Sequence, residues 1–281
     1  MTGIHVPPLT LNNGVAIPQV GFGVFQVPEE NTQHVVETAL EAGYRHIDTA
    51  AGYYNEAGVG AALKATGLPR EDVFVTTKLR NGDQGFDAAL AAFENSRRAL
   101  GLDVVDLYLI HWPVPARDLY VETWRAFEKL LSDGAVRAIG VSNFLPRHLR
   151  RLLAESDVIP AVNQVEVHPT FQQRETLSAT ESAGVAVEAY SPLGQGRDLG
   201  SEAVTRIAAA HHVTPGQVVL RWHLQEGRVV IPKSVTPDRI AANLDLFGFE
   251  LDEDEVDAIS GLDTESRIGA DPDVAAFTQY R

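Results

Sequence analysis

The sequence alternates between short apolar runs and longer segments with helical periodicity, and this alternation repeats eight times along the chain. The apolar runs are nearly continuous, which is typical of strands in a parallel sheet that is buried on both faces. Eight such strand-helix units predict a closed parallel (β/α)8 barrel of the α/β class, also called a TIM barrel. The length of 281 residues fits a single barrel domain over residues 1–281, because such barrels typically have about 250 residues.

The boundaries of these units follow from turn residues and from helix-capping signals. Predicted strands lie at 20–23, 44–48, 73–78, 104–111, 138–142, 161–167, 185–190 and 228–231. Predicted helices lie at 31–42, 55–65, 86–100, 119–132, 146–155, about 173–183, 202–211, 215–225 and 237–244, with an extra C-terminal helix at 252–260. Before the first unit, Asn13-Gly14 predicts a type I′ turn in an N-terminal β-hairpin over 9–17.

The composition limits the classes of partner and compartment. The formal net charge of -15 argues against nucleic acid and anionic membranes as main partners. The chain contains no cysteine, which excludes disulfides and thiolate chemistry and fits a reducing compartment. The first residues lack the apolar core of a signal peptide, and no apolar run approaches the roughly 20 residues that a membrane-spanning helix needs. We therefore expect a cytoplasmic protein that binds neither nucleic acid nor membranes.

Polar side chains stand where the predicted barrel strands end, and barrels of this type carry their active sites at those ends. They are Asp48, Lys78, His111, Ser142-Asn143, Gln164 with Glu166 and His168, Tyr190-Ser191 and Lys233-Ser234. Any one of them alone has an ordinary explanation, because a strand must end somewhere and its end is commonly polar. Their convergence on one rim indicates a catalytic site.

Asp48, Tyr53, Lys78 and His111 form a set suited to proton transfer. The phenol can give a proton, the ammonium can lower the pKa of the phenol, the carboxylate can hold the ammonium, and the imidazole can orient a substrate. Lys78 admits two other interpretations, a Schiff-base nucleophile as in class I aldolases or a solvated strand end. The sequence shows no set of residues at metal-ligand spacing, so we predict no metal site.

The sequence also contains a candidate site for a phosphorylated cofactor. The G-x-G-x-x-G spacing of Rossmann folds is absent, and so is the P-loop motif. The flexible loop at 191–197 could wrap a pyrophosphate. Lys233-Ser234 and Arg239 flank the start of the last barrel helix, where backbone N–H groups and two cations could bind a phosphate. Barrels often place phosphate sites after strands seven and eight, in agreement with this position.

Several segments are specific enough to indicate a family. Residues 43–50 read Gly-Tyr-Arg-His-Ile-Asp-Thr-Ala, and residues 106–113 read Asp-Leu-Tyr-Leu-Ile-His-Trp-Pro. With segments 139–144, 163–164 and 231–234, they resemble the signature segments of the aldo-keto reductase family, and the resemblance covers essentially the whole chain. Segments 21–25, 161–164 and 220–223 are most similar to its bacterial 2,5-diketo-D-gluconate reductase-like branch.

The resemblance implies NADPH-dependent reduction of aldehydes and ketones, with Asp48, Tyr53, Lys78 and His111 as the catalytic tetrad. It implies that Tyr53 protonates the carbonyl oxygen while hydride arrives from the nicotinamide. The implied cofactor-binding residues are Ser142, Asn143 and Gln164 for the carboxamide, Tyr190 for the nicotinamide face, Ser191, Leu193, Gln195 and Gly196 for the pyrophosphate, Lys233, Ser234, Val235 and Arg239 around the 2′-phosphate, and Asn243 for the adenine. The implied partner is a small carbonyl compound, and we expect the chain to act as a monomer.

The expected substrate pocket departs from the family pattern. We expect it to be lined by Phe25, Tyr54, Arg80 and Trp112. Tyr54 stands where a glycine is common and Arg80 where a tryptophan often lies, so the substrate stays open, with keto-sugar acids and dicarbonyls as candidates. Arg80 could grip a substrate carboxylate, or it could point to solvent or pair with Asp83. Two other functions also stay open, a cofactor-binding regulatory subunit with vestigial activity and a Schiff-base aldolase that uses Lys78.

Overall fold

The structure, a computed structural model, describes residues 6–278. The strands are β1 (Pro8–Thr10), β2 (Ala16–Pro18), β3 (Phe22–Gly23), β4 (His46–Asp48), β5 (Phe74–Leu79), β6 (Val105–Ile110), β7 (Val136–Ser142), β8 (Val162–Glu166), β9 (Ala186–Tyr190) and β10 (Val229–Val230). The α-helices are α1 (Glu29–Ala42), α2 (Glu56–Ala65), α3 (Phe86–Leu100), α4 (Tyr120–Ser132), α5 (Pro146–Glu155), α6 (Arg174–Ser182), α7 (Glu202–His211), α8 (Pro215–Gln225), α9 (Pro237–Ala242) and α10 (Glu253–Ser260). Every predicted strand-helix unit is therefore present.

Strands β3 to β10 form one parallel sheet in which each strand pairs with the next along the chain. The sheet closes on itself through a parallel bridge between Val20 and Val230. The amide of Gly21 donates to the carbonyl of Val230 at 2.8 Å, and the amide of Val230 donates to the carbonyl of Gln19 at 3.0 Å. The predicted (β/α)8 barrel is confirmed, with α10 as the extra C-terminal helix.

The N-terminal hairpin is also confirmed, whereas its turn type is corrected. Strands β1 and β2 pair antiparallel with Leu9 opposite Ile17. A type I′ turn needs positive φ at both central residues, but among residues 11–15 only Gly14 has positive φ, at 84°. The amide of Gly14 donates to the carbonyl of Leu11, and the amide of Leu11 donates to the carbonyl of Val15. Gly14 thus supplies the one left-handed position of a longer turn.

Burial on both faces explains why the barrel strands are largely apolar. All six residues of β5 and all six of β6 are buried. Helix α3 shows how the outer layer packs, because its buried residues Ala89, Ala92, Phe93, Ser96 and Leu100 recur at three- and four-residue spacing along one face. The helix stops at Gly101, whose φ of 67° lies in the left-handed region. Within residues 6–278, no helix has both the length and the apolar character needed to traverse a bilayer.

Parallel pairing brings the carboxyl ends of the strands to one rim of the barrel. Asp48 pairs in register with Thr76, and Ser142 pairs with Gln164. Asp48 and Gln164 are 116 positions apart in the chain, yet the amide of Gln164 donates to the Asp48 carboxylate at 2.9 Å. The fold therefore gathers the polar strand ends that the sequence predicted to lie close together.

Candidate active site

The Lys78 ammonium occupies the centre of a charged cluster at the barrel rim. It donates to Oδ1 of Asp48 at 2.6 Å, to the carbonyl oxygen of Thr49 at 3.0 Å and to the hydroxyl of Tyr53 at 3.4 Å. The Lys78 side chain is 0% exposed and that of Asp48 is 2% exposed. Burial raises the pKa of Asp48, and the charge and hydrogen bond of Lys78 oppose this shift. The structure thus brings Asp48, Tyr53 and Lys78 together as predicted.

Tyr53 ends the short 3-10 turn Ala51–Tyr53 that follows β4. Burial is the largest cause that raises the pKa of Tyr53 well above 10.0, and the charges of Asp48 and Glu188 add to it. The sequence had predicted the opposite direction, because it placed an ammonium beside the phenol but gave no measure of burial or of the second acid. The phenol is therefore protonated at neutral pH, which is the state that a general acid needs.

His111 follows β6 and meets the ring of Tyr53 edge-on, with the ring centroids 5.5 Å apart. Burial lowers the pKa of His111 well below 6.5, and the positive charge of Lys78 adds to this effect. The imidazole is therefore neutral and has one N–H donor and one acceptor nitrogen. It can orient a carbonyl oxygen beside the Tyr53 hydroxyl without competing with the phenol as an acid.

The contacts of Lys78 weigh against a Schiff-base role. A nucleophilic lysine must lose a proton and reach the substrate carbonyl. The ammonium of Lys78 has three donors, and it makes three hydrogen bonds, to Asp48, Thr49 and Tyr53. Its side chain is fully buried behind the wall of the cavity described next. The lysine is therefore held beside the Tyr53 hydroxyl.

A cavity of about 880 Å³ opens at this rim. Predicted site residues in its wall are Asp48, Tyr53, His111, Phe25, Trp112, Ser142, Asn143, Gln164, Tyr190, Ser191, Leu193, Gln195, Gly196, Lys233, Ser234, Val235, Arg239 and Asn243. The volume lies in the range of roughly 300–1,000 Å³ that is usual for small-molecule and cofactor sites. One continuous wall therefore joins the proton-transfer set to the residues predicted to bind a cofactor.

One end of the cavity carries interlocked amide and hydroxyl groups. The Ser142 hydroxyl donates to the carbonyl of Gln164 at 2.8 Å, and the amide of Asn143 donates to the carbonyl of His111 at 3.0 Å. The Tyr190 hydroxyl donates to Oδ1 of Asn143 at 2.9 Å. These bonds fix donors and acceptors beside the tetrad. Such a set fits a carboxamide, because a carboxamide presents both an N–H donor and a carbonyl acceptor.

The other end carries a tightly turned loop and two cations. The loop after β9 has positive φ at Ser191 (46°), Gly194 (57°), Gln195 (53°) and Gly196 (88°). Consecutive turned peptide units of this kind can direct backbone N–H groups at an anion. Lys233 and Arg239 lie in the same wall, and both are exposed. An amide-binding end, a turned loop and a pair of cations along one cavity fit the nicotinamide, pyrophosphate and 2′-phosphate of NADPH.

Two of the predicted pocket residues lie outside the wall of this cavity. Arg80 donates from Nε and Nη2 to the two carboxylate oxygens of Asp83 at 3.0 and 2.9 Å, which is the pairing considered above as an alternative. Tyr54 is 52% exposed, and its φ of 58° turns the backbone directly after Tyr53. A grip on a substrate carboxylate would require Arg80 to leave Asp83, so the observed pairing favours the interpretation in which Arg80 does not contact the substrate.

A buried ion cluster joins three segments beside the cavity. His168, which follows β8, contacts Oδ2 of Asp198 through Nδ1 at 2.8 Å and Oε1 of Glu166 through Nε2 at 3.1 Å. The Glu166 carboxylate also accepts from the backbone amides of Ile268 and Gly269 at 2.6 and 2.7 Å. The sequence indicated Glu166 and His168 only as polar residues at a strand end. The cluster ties β8 to the loop after β9 and to the C-terminal segment.

The C-terminal segment at 263–278 forms part of the cavity wall, and the sequence did not predict this. Gly269, Ala270 and Phe277 contribute to the wall. The ring of Phe277 meets that of Trp112 edge-on at 5.1 Å between centroids, and its carbonyl accepts from the Asn81 amide at 2.9 Å. The segment has no strand or helix periodicity, so a pattern-based prediction cannot place it. The available signal for a role in the cavity wall was Phe277, an aromatic residue in an irregular stretch.

Glu188 is another residue that the sequence prediction missed. It interrupts the apolar strand β9, is 0% exposed, and pairs in register with Gln164. The amide of Gln164 donates to Oε2 of Glu188 at 2.8 Å. The available signal was an acid inside an apolar barrel strand two residues before Tyr190, because residues two apart share one face of a strand.

Parallel barrels with their polar groups gathered at the carboxyl rim are characteristically enzymes, and a protonated phenol beside a dinucleotide-sized cavity indicates the oxidoreductase class. Comparison with known proteins leads to the same class, because residues 19–264 match the Aldo/keto reductase family. The chain belongs to this family, as its sequence motifs predicted.

The relatives are similar over nearly their full length. An aldo-keto reductase of Mycolicibacterium smegmatis is 53% identical over 272 residues, which are 97% of this chain and 99% of the relative. Glyoxal reductase of Bacillus subtilis is 49% identical over 268 residues, which are 95% of this chain and 96% of the relative. A crystal structure of a Gox0644 variant in complex with NADPH superimposes with a TM-score of 0.94 at 47% identity, covering 97% of this chain and 100% of that one. Membership of the 2,5-diketo-D-gluconate reductase-like branch stays a prediction.

Proposed function

We propose that this aldo-keto reductase reduces aldehydes and ketones to alcohols with NADPH, and that Tyr53 is the general acid. The observation that carries the proposal is the position of the Tyr53 hydroxyl. It lies 3.4 Å from the Lys78 ammonium, which in turn lies 2.6 Å from the Asp48 carboxylate, and Tyr53 is part of the cavity wall. A proton donor, with an ammonium and a carboxylate beside it, thus lies at the edge of the cofactor cavity.

Each member of the tetrad has a distinct task in this reaction. NADPH supplies the hydride to the carbonyl carbon when bound. Tyr53 gives its phenolic proton to the carbonyl oxygen, so the product is a neutral alcohol and the phenol becomes a phenolate. The Lys78 ammonium stabilises that phenolate, and Asp48 holds the ammonium in place. Neutral His111 orients the carbonyl oxygen by donating an N–H, so that proton and hydride reach the two ends of the same bond.

The chemistry along the cavity supports NADPH as the cofactor. Ser142, Asn143 and Gln164 would hold the carboxamide, and Tyr190 would lie against the nicotinamide face. The turned loop from Ser191 would bind the pyrophosphate, while Lys233 and Arg239 would bind the 2′-phosphate, with Ser234 and Val235 beside it and Asn243 at the adenine. Among the similar structures, the Gox0644 variant in complex with NADPH supports this assignment.

The substrate end of the cavity favours small carbonyl compounds with an apolar or dicarbonyl body. Phe25, Trp112 and Phe277 present aromatic walls beside Tyr53 and His111. Phe25 also packs against Tyr53 with ring centroids 5.0 Å apart, which confines the space over the phenol. The Bacillus subtilis relative named glyoxal reductase supports short dicarbonyls as substrates. Keto-sugar acids are a second class, and their fit depends on Arg80.

The test is a panel of carbonyl substrates followed by nicotinamide absorbance with NADPH and with NADH. The expected result is turnover of short dicarbonyls and simple aldehydes with NADPH. Tight NADPH binding by fluorescence without turnover of any substrate would favour the regulatory-subunit interpretation instead. Absence of NADPH binding would overturn the proposal altogether. We also propose that the monomer is the active form, and size-exclusion chromatography at the assay concentration tests this.

A further inference from the structure

Glu188 places a carboxyl group inside the barrel, directly beneath the floor of the cofactor cavity. Its side chain is fully buried, and it lies on the same face of β9 as Tyr190, which is part of the cavity wall. The reaction described above assigns no task to Glu188. A buried ionisable group costs several kcal/mol if it is charged without a partner, so its presence calls for a physical account.

One amide group, that of Gln164, connects Glu188 to the carboxylate of Asp48. Nε2 of Gln164 donates to Oδ2 of Asp48 at 2.9 Å and to Oε2 of Glu188 at 2.8 Å. Both hydrogens of this amide are therefore directed at carboxyl groups, which leaves the Gln164 oxygen to accept from a ligand. Among residues 6–278, Oε1 of Glu188 has no hydrogen-bond partner, and the nearest ring nitrogen, Nε2 of His46, is 3.6 Å away. One carboxyl oxygen of Glu188 thus accepts a hydrogen bond, and the other has no hydrogen-bond partner among the described residues.

The surroundings of Glu188 determine when it is charged. The ionisable groups that face it are His46 and Asp48 on β4, Lys78 on β5 and Tyr53 beyond them. Burial lowers the pKa of His46 to about 3, so this ring brings no positive charge. The Lys78 ammonium is already paired with Asp48 at 2.6 Å. Burial, and next the charge of Asp48, raise the pKa of Glu188 to about 8. Glu188 is therefore neutral at pH 7 and becomes an unpaired anion in mildly alkaline solution.

We propose that Glu188 tunes the preference of the site for the oxidised or the reduced cofactor through its own charge. The proposal rests on NADP(H) binding in this cavity, as proposed above. The nicotinamide ring of NADP⁺ carries a positive charge, whereas that of NADPH is neutral. An ionised Glu188 beneath the Gln164 side chain attracts the first ring and has no such attraction for the second. A protonated Glu188 is neutral, so it does not attract the ring of NADP⁺ more strongly than that of NADPH.

The low polarity of the barrel interior determines how strongly the charge of Glu188 affects cofactor binding. At an effective dielectric constant of about 20, unit charges roughly 10 Å apart change an equilibrium by about tenfold. We therefore expect the ratio of Kd for NADP⁺ to Kd for NADPH to fall roughly tenfold between pH 6.5 and pH 9.5. Linkage requires the reciprocal effect, so NADP⁺ must lower the pKa of Glu188 and release a proton when it binds near pH 8.

The experiment measures both dissociation constants across this pH range by fluorescence titration in the wild type, in Glu188→Gln and in Glu56→Gln. Glu188→Gln keeps an acceptor for the Gln164 amide but cannot ionise. Glu56 is the matched control, because it is a buried acid with a raised pKa that accepts from Thr77 at 2.6 Å on the side of β5 covered by α2. The 2′-phosphate titrates in both cofactors and cancels in the ratio.

We expect a pH-dependent ratio in the wild type and in Glu56→Gln, and a flat ratio in Glu188→Gln equal to the wild-type value at pH 6.5. A flat wild-type ratio overturns the proposal, and so does a pH dependence that survives in Glu188→Gln. Failure to bind NADPH at any pH would instead refute the proposed function.

A second measurement does not depend on the variant folding. Calorimetric titration of the wild type at pH 8, in two buffers of different ionisation enthalpy, counts the protons released on binding. NADP⁺ should release more protons than NADPH. Equal release by the two cofactors overturns the proposal.

Discussion

Nδ1 of His168 lies 2.8 Å from Oδ2 of Asp198, and this contact fastens the loop after β9 to the end of β8. Burial disfavours the charged imidazole, but hydrogen bonds to Asp198 and Glu166 outweigh it and raise the pKa of His168 above 6.5. Burial likewise opposes the charge of Asp198, yet the bonds to His168 and Thr170 hold the pKa of that carboxyl below 3.8. The cavity is therefore supported by a buried imidazole that lies between two carboxylates, and these favour its charged form.

This cluster predicts that His168→Gln destabilises the fold in a pH-dependent way. The raised pKa of His168 contributes stability that is complete below 6.5 and is lost as pH rises through the raised value. The lowered pKa values of Glu166 and Asp198 contribute stability that is complete above 4.5 and 3.8 and is lost on acidification. We expect a loss of about 3–5 kcal/mol in the free energy of unfolding at pH 5.5, because a buried pair is broken.

Urea unfolding at pH 5.5 and pH 9 measures this prediction, and the difference between variant and wild type should shrink at pH 9. His211→Gln is the control, because His211 contacts Glu255 at 2.9 Å but is 24% exposed. The control should cost about 0–1 kcal/mol. An equal loss at both pH values would show that packing alone accounts for the role of His168.

Tyr53→Phe should abolish most turnover while leaving cofactor binding nearly intact. The substitution removes the only phenolic proton beside Lys78 among the described residues, and general acid catalysis is typically worth roughly 10²- to 10⁴-fold in rate. Tyr54→Phe is the matched control, because the neighbouring phenol is 52% exposed and lies outside the cavity wall. Measurement of kcat together with NADPH fluorescence decides the assignment. A severe loss in Tyr54→Phe with an active Tyr53→Phe would reverse it.

Arg239→Ala should weaken NADPH binding by about tenfold or more and leave NADH binding nearly unchanged. Charge-assisted hydrogen bonds are worth about 1.5–3 kcal/mol, and only NADPH has a 2′-phosphate to receive them. Nη2 of Arg239 donates to the Thr236 hydroxyl at 2.7 Å, which holds the guanidinium at the cavity wall. Arg206→Ala on α7 controls for loss of an exposed cation. Equal weakening of both cofactors would place the 2′-phosphate elsewhere.

Arg80→Met should change KM for a keto acid and for a neutral aldehyde by the same small factor. The guanidinium is engaged by both oxygens of Asp83, and Arg80 does not belong to the cavity wall. Kinetics with a matched pair of substrates at low and high salt test this, because screening weakens any partly exposed charge pair. A rise confined to the keto acid, and reduced at high salt, would establish Arg80 as the carboxylate grip.

Short-range sequence signals were sufficient to predict the fold. The features that the prediction missed depend on contacts between residues that are distant in the sequence. Helix α3 was predicted with its observed bounds because Gly101 ends it within the same segment. Strand β4 was predicted two residues too long, since the amide of Tyr44 donates to the carbonyl of Ala39 and so completes the end of α1. The proximity of Asp48, Lys78 and His111 could be predicted because strand ends converge in any parallel barrel. Burial of Tyr53 depends on packing from other strands, so its raised pKa could not be predicted from local sequence. Glu188 was missed although an acid in an apolar strand was a signal, because its contact with Gln164 becomes visible only in the fold.

Phe277 shapes the substrate end of the cavity from beyond residues 19–264, the part of the chain that matches the family. Its contacts include the ring of Trp112 and a hydrogen bond from Asn81, both outside the barrel interior that holds Asp48 and Lys78. Substitutions in the segment at 263–278 can therefore change which compounds enter the cavity while the proton-transfer residues keep their positions.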